Sequence, residues 1–253
     1  MRVTWLGHST VLIELDGVRL LTDPLLRPRM LHLLRVAGPV DARALGDVDA
    51  ALISHFHYDH LDLASLRSLG LSVRVIAPAG GGAYLRKRGF AQVDELGIGG
   101  EVPVGPVVVR ATPAEHDTRR GLLGGQAIAV GYAVLGSARA YFAGDTDLFD
   151  ELDGLVPDLD VALLPVAGWG PRLPAGHLDP RGAAEAVRRL RPRIAVPIHW
   201  GTYRQVGMSS DPERVRGPAE EFLRLAGEQT PDVRVILLAV GESAEVAAAG
   251  HRG

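Results

Sequence analysis

The chain of 253 residues is 47 % hydrophobic and 23 % charged, a composition typical of a folded globular protein and not of a disordered or fibrous one. Its 27 basic and 30 acidic residues give a formal net charge of −3, so the chain as a whole does not attract a nucleic acid backbone. No cysteine is present, which excludes disulfide bonds, thiolate metal sites and a cysteine nucleophile. We therefore expect a single domain over residues 1–253 that binds no nucleic acid.

No segment is typical of a targeting signal or a transmembrane helix. The apolar stretch Val3–Leu6 is far shorter than the core of a signal peptide. The longest uncharged run, residues 121–138, contains five glycines, whereas a transmembrane helix needs about 20 predominantly apolar residues. These features predict a cytoplasmic protein without a transmembrane segment.

Short apolar runs between glycine, proline and aspartate predict an α/β protein in which sheets and helices form layers around one core. The predicted strands are Arg2–Trp5, Thr10–Leu15, Val18–Thr22, Ala50–Ser54, Val73–Ala77, Val107–Thr112, Ala127–Val134, Ala140–Ala143, Val161–Pro165, Ile194–Pro197 and Val233–Ala239. The predicted helices are Leu63–Leu69, Gly80–Arg88, Pro180–Leu190 and Pro212–Leu225.

Residues 24–47 interrupt this pattern with pairs of leucines among four arginines. This composition favours a long inserted loop or a short helix. Long loops in compact domains are often functional lids, and a leucine- and arginine-rich segment could also contact a membrane surface. A surface segment packed onto the core by its leucines is an equal alternative.

A histidine-rich segment directly follows the predicted strand Ala50–Ser54 and reads His55-Phe56-His57-Tyr58-Asp59-His60. In extended backbone, residues two apart share a face, so His55 and His57 can approach one ion together. If the chain then turns into a helix, Asp59 and His60 can face a second ion. Imidazole and carboxylate ligands suit zinc, iron or manganese.

Three further predicted strands also end in residues that can bind a metal. His116 follows the strand Val107–Thr112, Asp145 follows Ala140–Ala143, and His199 follows Ile194–Pro197. Ligands at strand ends converge on one edge of a sheet, where α/β proteins commonly build their sites. Together these residues supply what a binuclear site still lacks.

With these residues the chain resembles the metallo-β-lactamase superfamily, whose signature H-x-H-x-D-H is present as His55, His57, Asp59 and His60. Within it, the chain is similar to the branch of N-acyl-phosphatidylethanolamine-hydrolysing phospholipases D and ascorbate-phosphate lactonases. The resembling stretches are Trp5–Thr10, Leu21–Pro24, Ile53–Asp62, Phe142–Thr146, His177–Pro180 and Ile198–Tyr203. Flavo-diiron relatives carry glutamate at the position of His57, so this resemblance favours hydrolysis over the reduction of oxygen.

The resemblance implies a four-layer αββα sandwich with two divalent metal ions at one edge. It assigns the first metal to His55, His57 and His116. The second metal is assigned to Asp59, His60 and His199, with Asp145 as the bridge. Zinc is the expected metal, and manganese and iron are the alternatives.

Three other residues are candidates around this centre. The resemblance implies that Asp23 contacts a metal-bound histidine, although an aspartate before proline is also typical of a turn. His8 lies near the same edge or caps a strand. His177 matches a histidine that contacts the scissile group, so we expect it to contact substrate or to donate a proton to the leaving group.

These residues predict a binuclear metal-dependent hydrolase. Two metals about 3.5–4 Å apart lower the pKa of a shared water and form a bridging hydroxide, which would cleave a phosphodiester or a lactone in a small or lipid-like substrate. Asp59 would also orient this nucleophile. The alternative is a non-catalytic metal-binding or scaffold protein that retains the fold, but such proteins are expected to lose ligands, and all seven are present here.

Overall fold

Two large mixed β-sheets form the centre of the protein in a computed structural model that describes residues 1–40, 45–120, 127–168, 173–208 and 211–247. The strands in the described residues are β1 (Arg2–Gly7), β2 (Thr10–Leu15), β3 (Val18–Thr22), β4 (Arg29–Met30), β5 (Leu33–Arg35), β6 (Ala50–Leu52), β7 (Arg74–Pro78), β8 (Val93–Leu96), β9 (Glu101–Val104), β10 (Val107–Pro113), β11 (Val130–Leu135), β12 (Arg139–Phe142), β13 (Val161–Pro165), β14 (Ile194–Ile198), β15 (Tyr203–Gln205), β16 (Arg234–Val235) and β17 (Ser243–Glu245). The helices are α1 (Leu63–Ser68), α2 (Gly82–Arg86), α3 (Pro180–Leu190) and α4 (Pro212–Gln229).

The two sheets have the same internal plan. The first has the order β17-β1-β2-β3-β6-β7-β8, and the second has the order β16-β14-β13-β12-β11-β10-β9. In each sheet, antiparallel neighbours on one side are followed by parallel neighbours on the other. Parallel strands point their carboxyl ends toward the same edge, so residues that follow them meet there.

Alternating side chains of the first sheet face two different cores. In β6, Ala50 and Leu52 pack into the large core between the sheets, whereas Ala51 packs into a smaller core on the outer face. That smaller core includes Leu66 of α1 and Leu85 of α2. Helices α3 and α4 contact each other and the second sheet. The expected four-layer αββα sandwich is thus confirmed.

Local capping explains two of the helix starts. The Asp179 carboxylate accepts a hydrogen bond from the Gly182 N–H at 2.7 Å, with Pro180 at the first helical position. Asp62 caps α1 in the same way by accepting from Ser65 N–H at 2.9 Å. Helix α1 therefore begins at Leu63, three residues after the histidine-rich segment.

The segment of residues 24–47 contains short strands instead of the expected loop or helix. Strand β5 pairs with β4 and with β15, so the segment forms a third, three-stranded sheet with residues that follow His199. Leu25, Met30, Leu33 and Tyr203 share a small buried cluster beneath it. Residues 41–44 of the predicted insert lie outside the described residues.

Across the described ranges, none of the helices has the length and apolar character needed to cross a bilayer. Part of the uncharged run 121–138, residues 121–126, falls outside those ranges. Its later residues form β11, a buried strand between β10 and β12.

Candidate metal centre

Every predicted site residue of the sequence motifs lies in a connection that follows a strand, and these connections meet at one edge of the sandwich. Each residue follows a particular strand: His8 follows β1, Asp23 follows β3, His55 to His60 follow β6, His116 follows β10, Asp145 follows β12 and His199 follows β14. His177 lies in the connection that leads into α3. The edge is therefore built from both sheets.

Three histidines form what we call the first donor group: His55, His57 and His116. Nδ1 of His57 lies 3.0 Å from Nε2 of His55 and 3.0 Å from Nε2 of His116. His55 is fully buried, whereas His57 and His116 are partly exposed. The group thus offers three ring nitrogens at one point that solvent can approach.

Four buried residues form the second donor group: His8, Asp59, His60 and His199. Nε2 of His60 and Nε2 of His199 lie 3.3 Å apart, and Asp59 Oδ2 lies 3.7 Å from each of them. His8 Nε2 is 3.1 Å from the same carboxylate oxygen. This group contains a carboxylate, unlike the first.

Asp145 lies between the two groups. Its Oδ2 is 3.1 Å from His60 Nε2 and 3.3 Å from His177 Nε2, and its Oδ1 is 3.4 Å from His199 Nε2. Asp145 and His177 can also form a donor set with His116 of the first group. Gly144 has a φ of +63°, and a Cβ there would lie 2.6 Å from Ser54 Cβ, so glycine lets Asp145 approach.

In two candidate ligands, a backbone carbonyl fixes the ring hydrogen on Nδ1, the nitrogen that faces away from the centre. Nδ1 of His116 donates to the Gly176 carbonyl at 2.7 Å, and Nδ1 of His199 donates to the Ala167 carbonyl at 2.6 Å. A carbonyl oxygen only accepts, so both Nδ1 atoms carry hydrogen. Nε2 of each ring is therefore the atom left to bind a metal, and it points into the centre, the orientation that metal-bound histidines require.

Asp23 fixes the hydrogen on Nδ1 of His60 directly and that on Nδ1 of His55 through Ser54. Its Oδ2 accepts from His60 Nδ1 at 2.7 Å and from the Ser54 hydroxyl at 2.6 Å. Because Ser54 has already donated its hydrogen, its Oγ accepts from His55 Nδ1 at 3.0 Å. The predicted contact between Asp23 and a histidine of the cluster is present, and the Ser54 link was missed because a serine beside a histidine carries no distinctive signal.

Burial and neighbouring charges shift the pKa values of the candidate ligands in opposite directions. Burial, followed by the His60 and His116 charges, holds the pKa of His55 well below its ordinary value. Burial and the His116 charge lower the pKa of His57 to about 4. For His60, burial opposes charging, but Asp145 and Asp59 outweigh it and hold its pKa well above the ordinary range. Asp145 and Asp59 thus favour a positive charge at His60, whereas burial and the His199 charge lower the pKa of His8, in the same group, to about 4.

The donor chemistry fits bound metal ions. His57 Nδ1 faces His55 and His116 at 3.0 Å, yet it can carry only one hydrogen, so at most one of these contacts is a hydrogen bond. Asp145 Oδ1 is buried and has no hydrogen-bond partner in the described part of the chain. A cation at each group would satisfy these atoms, and imidazole with carboxylate is a common zinc donor set.

The structure brings all ten candidate residues to one centre, but two local features differ from expectation. Asp59 and His60 lie in a turn in which His60 N–H donates to the His57 carbonyl at 3.1 Å, and not on a helix. His8 belongs to the second donor group itself. No spacing signal marks His8 as part of the motif, because it is 47 positions before His55 along the chain.

Residues 18–200 match the family model described as a β-lactamase superfamily domain. This chain belongs to the metallo-β-lactamase superfamily. A metal-dependent hydrolase of Methanopyrus kandleri is 34 % identical over 254 residues, which cover 97 % of this chain and all of the relative.

Two further relatives are similar to most of this chain but are longer proteins. An N-acyl-phosphatidylethanolamine-hydrolyzing phospholipase D of Caenorhabditis elegans is 33 % identical over 79 % of this chain and 64 % of the relative. An uncharacterized protein of Mycobacterium tuberculosis is 36 % identical over 81 % of this chain. The match spans only 59 % of that mycobacterial relative's length.

The fold has solved counterparts. The metallohydrolase Igni18 of Ignicoccus hospitalis superposes with a TM-score of 0.73 at 25 % identity, covering 96 % of this chain and 97 % of that one. The two-sheet arrangement therefore agrees with an experimentally determined metallohydrolase over nearly its whole length.

Proposed function

We propose that this protein is a binuclear metal-dependent hydrolase that cleaves an ester-type bond, a phosphodiester or a lactone, in a small or lipid-like substrate. The observation that carries the proposal is the pair of donor groups on either side of Asp145, whose carboxylate oxygens lie 3.1 to 3.4 Å from His60, His177 and His199. One group alone would suit a mononuclear or structural site. Two adjacent groups with a carboxylate between them suit two ions.

In this proposal His55, His57 and His116 would hold one ion, Asp59, His60 and His199 would hold the other, and Asp145 would serve both from its position between the groups. Zinc is the expected metal because the donors are imidazole and carboxylate, and manganese and iron are alternatives for the same donors. The bound metals would supply hydroxide near neutral pH and stabilise negative charge on the reacting oxygen.

The chain's own residues then position the reactants. His177 Nδ1 donates to the Pro174 carbonyl at 3.1 Å, which directs Nε2 toward Asp145 and the centre. His177 is partly exposed, so a substrate can reach it. We assign it substrate contact and proton donation to the leaving group, and we assign Asp59 the orientation of the attacking water.

The substrate class follows from the same residues only in outline. The phospholipase relative of Caenorhabditis elegans supports a lipid-like phosphodiester. A small phosphorylated or lactone substrate is equally compatible with a centre whose outer members, His57 and His116, are partly exposed. We further propose that the protein acts in the cytoplasm as a single domain.

Metal content and turnover measured on the same preparation test the proposal. We expect inductively coupled plasma mass spectrometry to find about two divalent ions per chain, and we expect hydrolysis of at least one member of a panel of phosphodiesters, esters and lactones. Stripping with a chelator should abolish turnover, and zinc or manganese should restore it. A metal-free protein, or a dinuclear protein inactive on the whole panel, would contradict the proposal and favour a non-catalytic scaffold.

A further inference from the structure

His8 is the member of the second donor group that is not assigned as a metal ligand. It is buried in the turn between β1 and β2, and its Nε2 lies 3.1 Å from Asp59 Oδ2. An ionised carboxylate only accepts hydrogen bonds, so His8 Nε2 carries the hydrogen and donates it. Such a bond to a charged acceptor is short and directional, and it fixes the orientation of the carboxylate.

Three hydrogen bonds hold the backbone of His8 in a left-handed conformation. Its φ is +53°, in a region that few residues other than glycine adopt, although histidine, asparagine and aspartate do so more often than the rest. The His8 N–H donates to Thr202 Oγ1 at 2.6 Å, and the His8 carbonyl accepts from Trp5 Nε1 and from His199 N–H, each at 2.9 Å. The surroundings thus maintain an uncommon backbone conformation, and residues held in this way cluster at functional sites.

The same contacts connect His8 to a second candidate ligand. His199 also has a positive φ, of +62°, and its backbone N–H is the one bonded to the His8 carbonyl. The two rings lie 4.0 Å apart between centroids. His8 thus contacts Asp59 through its side chain and His199 through its backbone and its ring.

We propose that His8 is a positioning residue for the second donor group. Its Nε2–H fixes Asp59 Oδ2, and its backbone fixes the turn that begins at His199, so that a divalent cation meets donors already oriented. The inference rests on the proposed role of Asp59 and His199 as metal ligands. It requires no contact between His8 and the substrate.

Metal titration of the full chain tests this role without reference to turnover. The chain is stripped with a chelator and titrated with Zn²⁺ in competition with a chromophoric chelator, and Co²⁺ is used in parallel for its absorption spectrum. His8→Asn is the main variant, because asparagine tolerates a positive φ but its shorter side chain does not reach Asp59. His8→Gln offers a longer amide donor, and His32→Asn changes an exposed histidine outside both donor groups as the control.

For His8→Asn we expect one ion to bind as in the unmodified chain and the other to bind about 10- to 100-fold more weakly, the usual effect of losing a partner of a metal ligand. The Co²⁺ spectrum of His8→Asn should differ from that of the unmodified chain only in the contribution of the more weakly bound ion. His8→Gln should recover part of the loss, and His32→Asn should match the unmodified chain. The circular dichroism and unfolding temperature of each stripped variant establish that it is folded.

Thr202→Val provides a second route if substitution of His8 prevents folding. It removes the hydroxyl that accepts from the His8 N–H while nearly conserving shape, and we expect a smaller weakening of the same ion. Unchanged binding of both ions in His8→Asn, or equal weakening of both, would overturn the positioning role alone. An unmodified chain that binds no metal would overturn the proposed function and this inference with it.

Discussion

The first and second donor groups lie next to each other but differ in charge and in access to solvent. The first contains three histidines, and His57 and His116 are partly exposed. The second is buried and contains the Asp59 carboxylate, with Asp145 3.1 Å from His60. A buried negative group binds a cation more strongly than a neutral exposed one. We therefore expect the second group to hold its ion more tightly and the first to face the substrate.

The largest expected effect is the loss of both ions when the residue between the groups is changed. Asp145→Asn keeps the shape of the side chain but removes its charge. We expect the metal content to fall well below two ions per chain. Turnover should fall more than 100-fold, because loss of a partner of a metal ligand typically costs up to about 100-fold and Asp145 is a proposed ligand itself. Mass spectrometry and turnover of the purified variant check this, and an active dinuclear Asp145→Asn protein would contradict the bridging role.

A matched pair of variants separates the two groups. Asp59→Ala should remove the ion of the second group only, and His116→Ala should remove that of the first group only, so each should retain about one ion per chain. Turnover should be lost in both, because each proposed ion is required. Metal titration with His32→Ala as the exposed control distinguishes this outcome from general unfolding, in which both ions would be lost together.

His177 should affect the reaction and not the metal content. His177→Ala is expected to lower kcat by about 10²- to 10³-fold, within the range typical of general acids, while two ions remain bound. Substrates with a good leaving group should lose less, because they need less protonation. An equal loss for good and poor leaving groups would argue against proton donation and leave substrate contact as the role.

The smallest expected effect comes from Ser54, which hydrogen-bonds to a candidate ligand of the first group only. Ser54→Ala removes the link between Asp23 and His55 and leaves the bond between Asp23 and His60 in place. We expect the ion of the first group to bind about tenfold more weakly and the second to be unchanged. Zinc competition titrations measure both affinities, and a selective loss at the second group would reverse the assignment.

The strand ends that carry the candidate site were predictable from sequence, because apolar runs followed by His55, His116, Asp145 and His199 define where each strand ends. Helices α1 to α4 of the described residues were also predicted, and Asp179 with Pro180 gave the start of α3 correctly. These signals are local. They depend on side-chain type and on capping within a few residues.

Features that depend on distant partners were not predictable. Strands β4, β5 and β15 are two or three residues long and form only because residues 29–35 meet residues 203–205. Predicted strand Val233–Ala239 forms a ladder only at Arg234–Val235, where β14 provides a parallel neighbour. The place of His8 in the second donor group likewise depends on Thr202 and His199, almost 200 residues away.

Asp23 also makes the two metal positions thermodynamically dependent on each other. It contacts His60 of the second group directly and His55 of the first through Ser54. The first ion to bind restricts the Asp23 carboxylate and Ser54 hydroxyl to one arrangement, and the second ion meets partners that have already lost that freedom. Ordering that is completed once and used twice favours the second ion after the first has bound, but by less than a direct ligand contributes, so a chain that lacks one ligand set still retains the other ion.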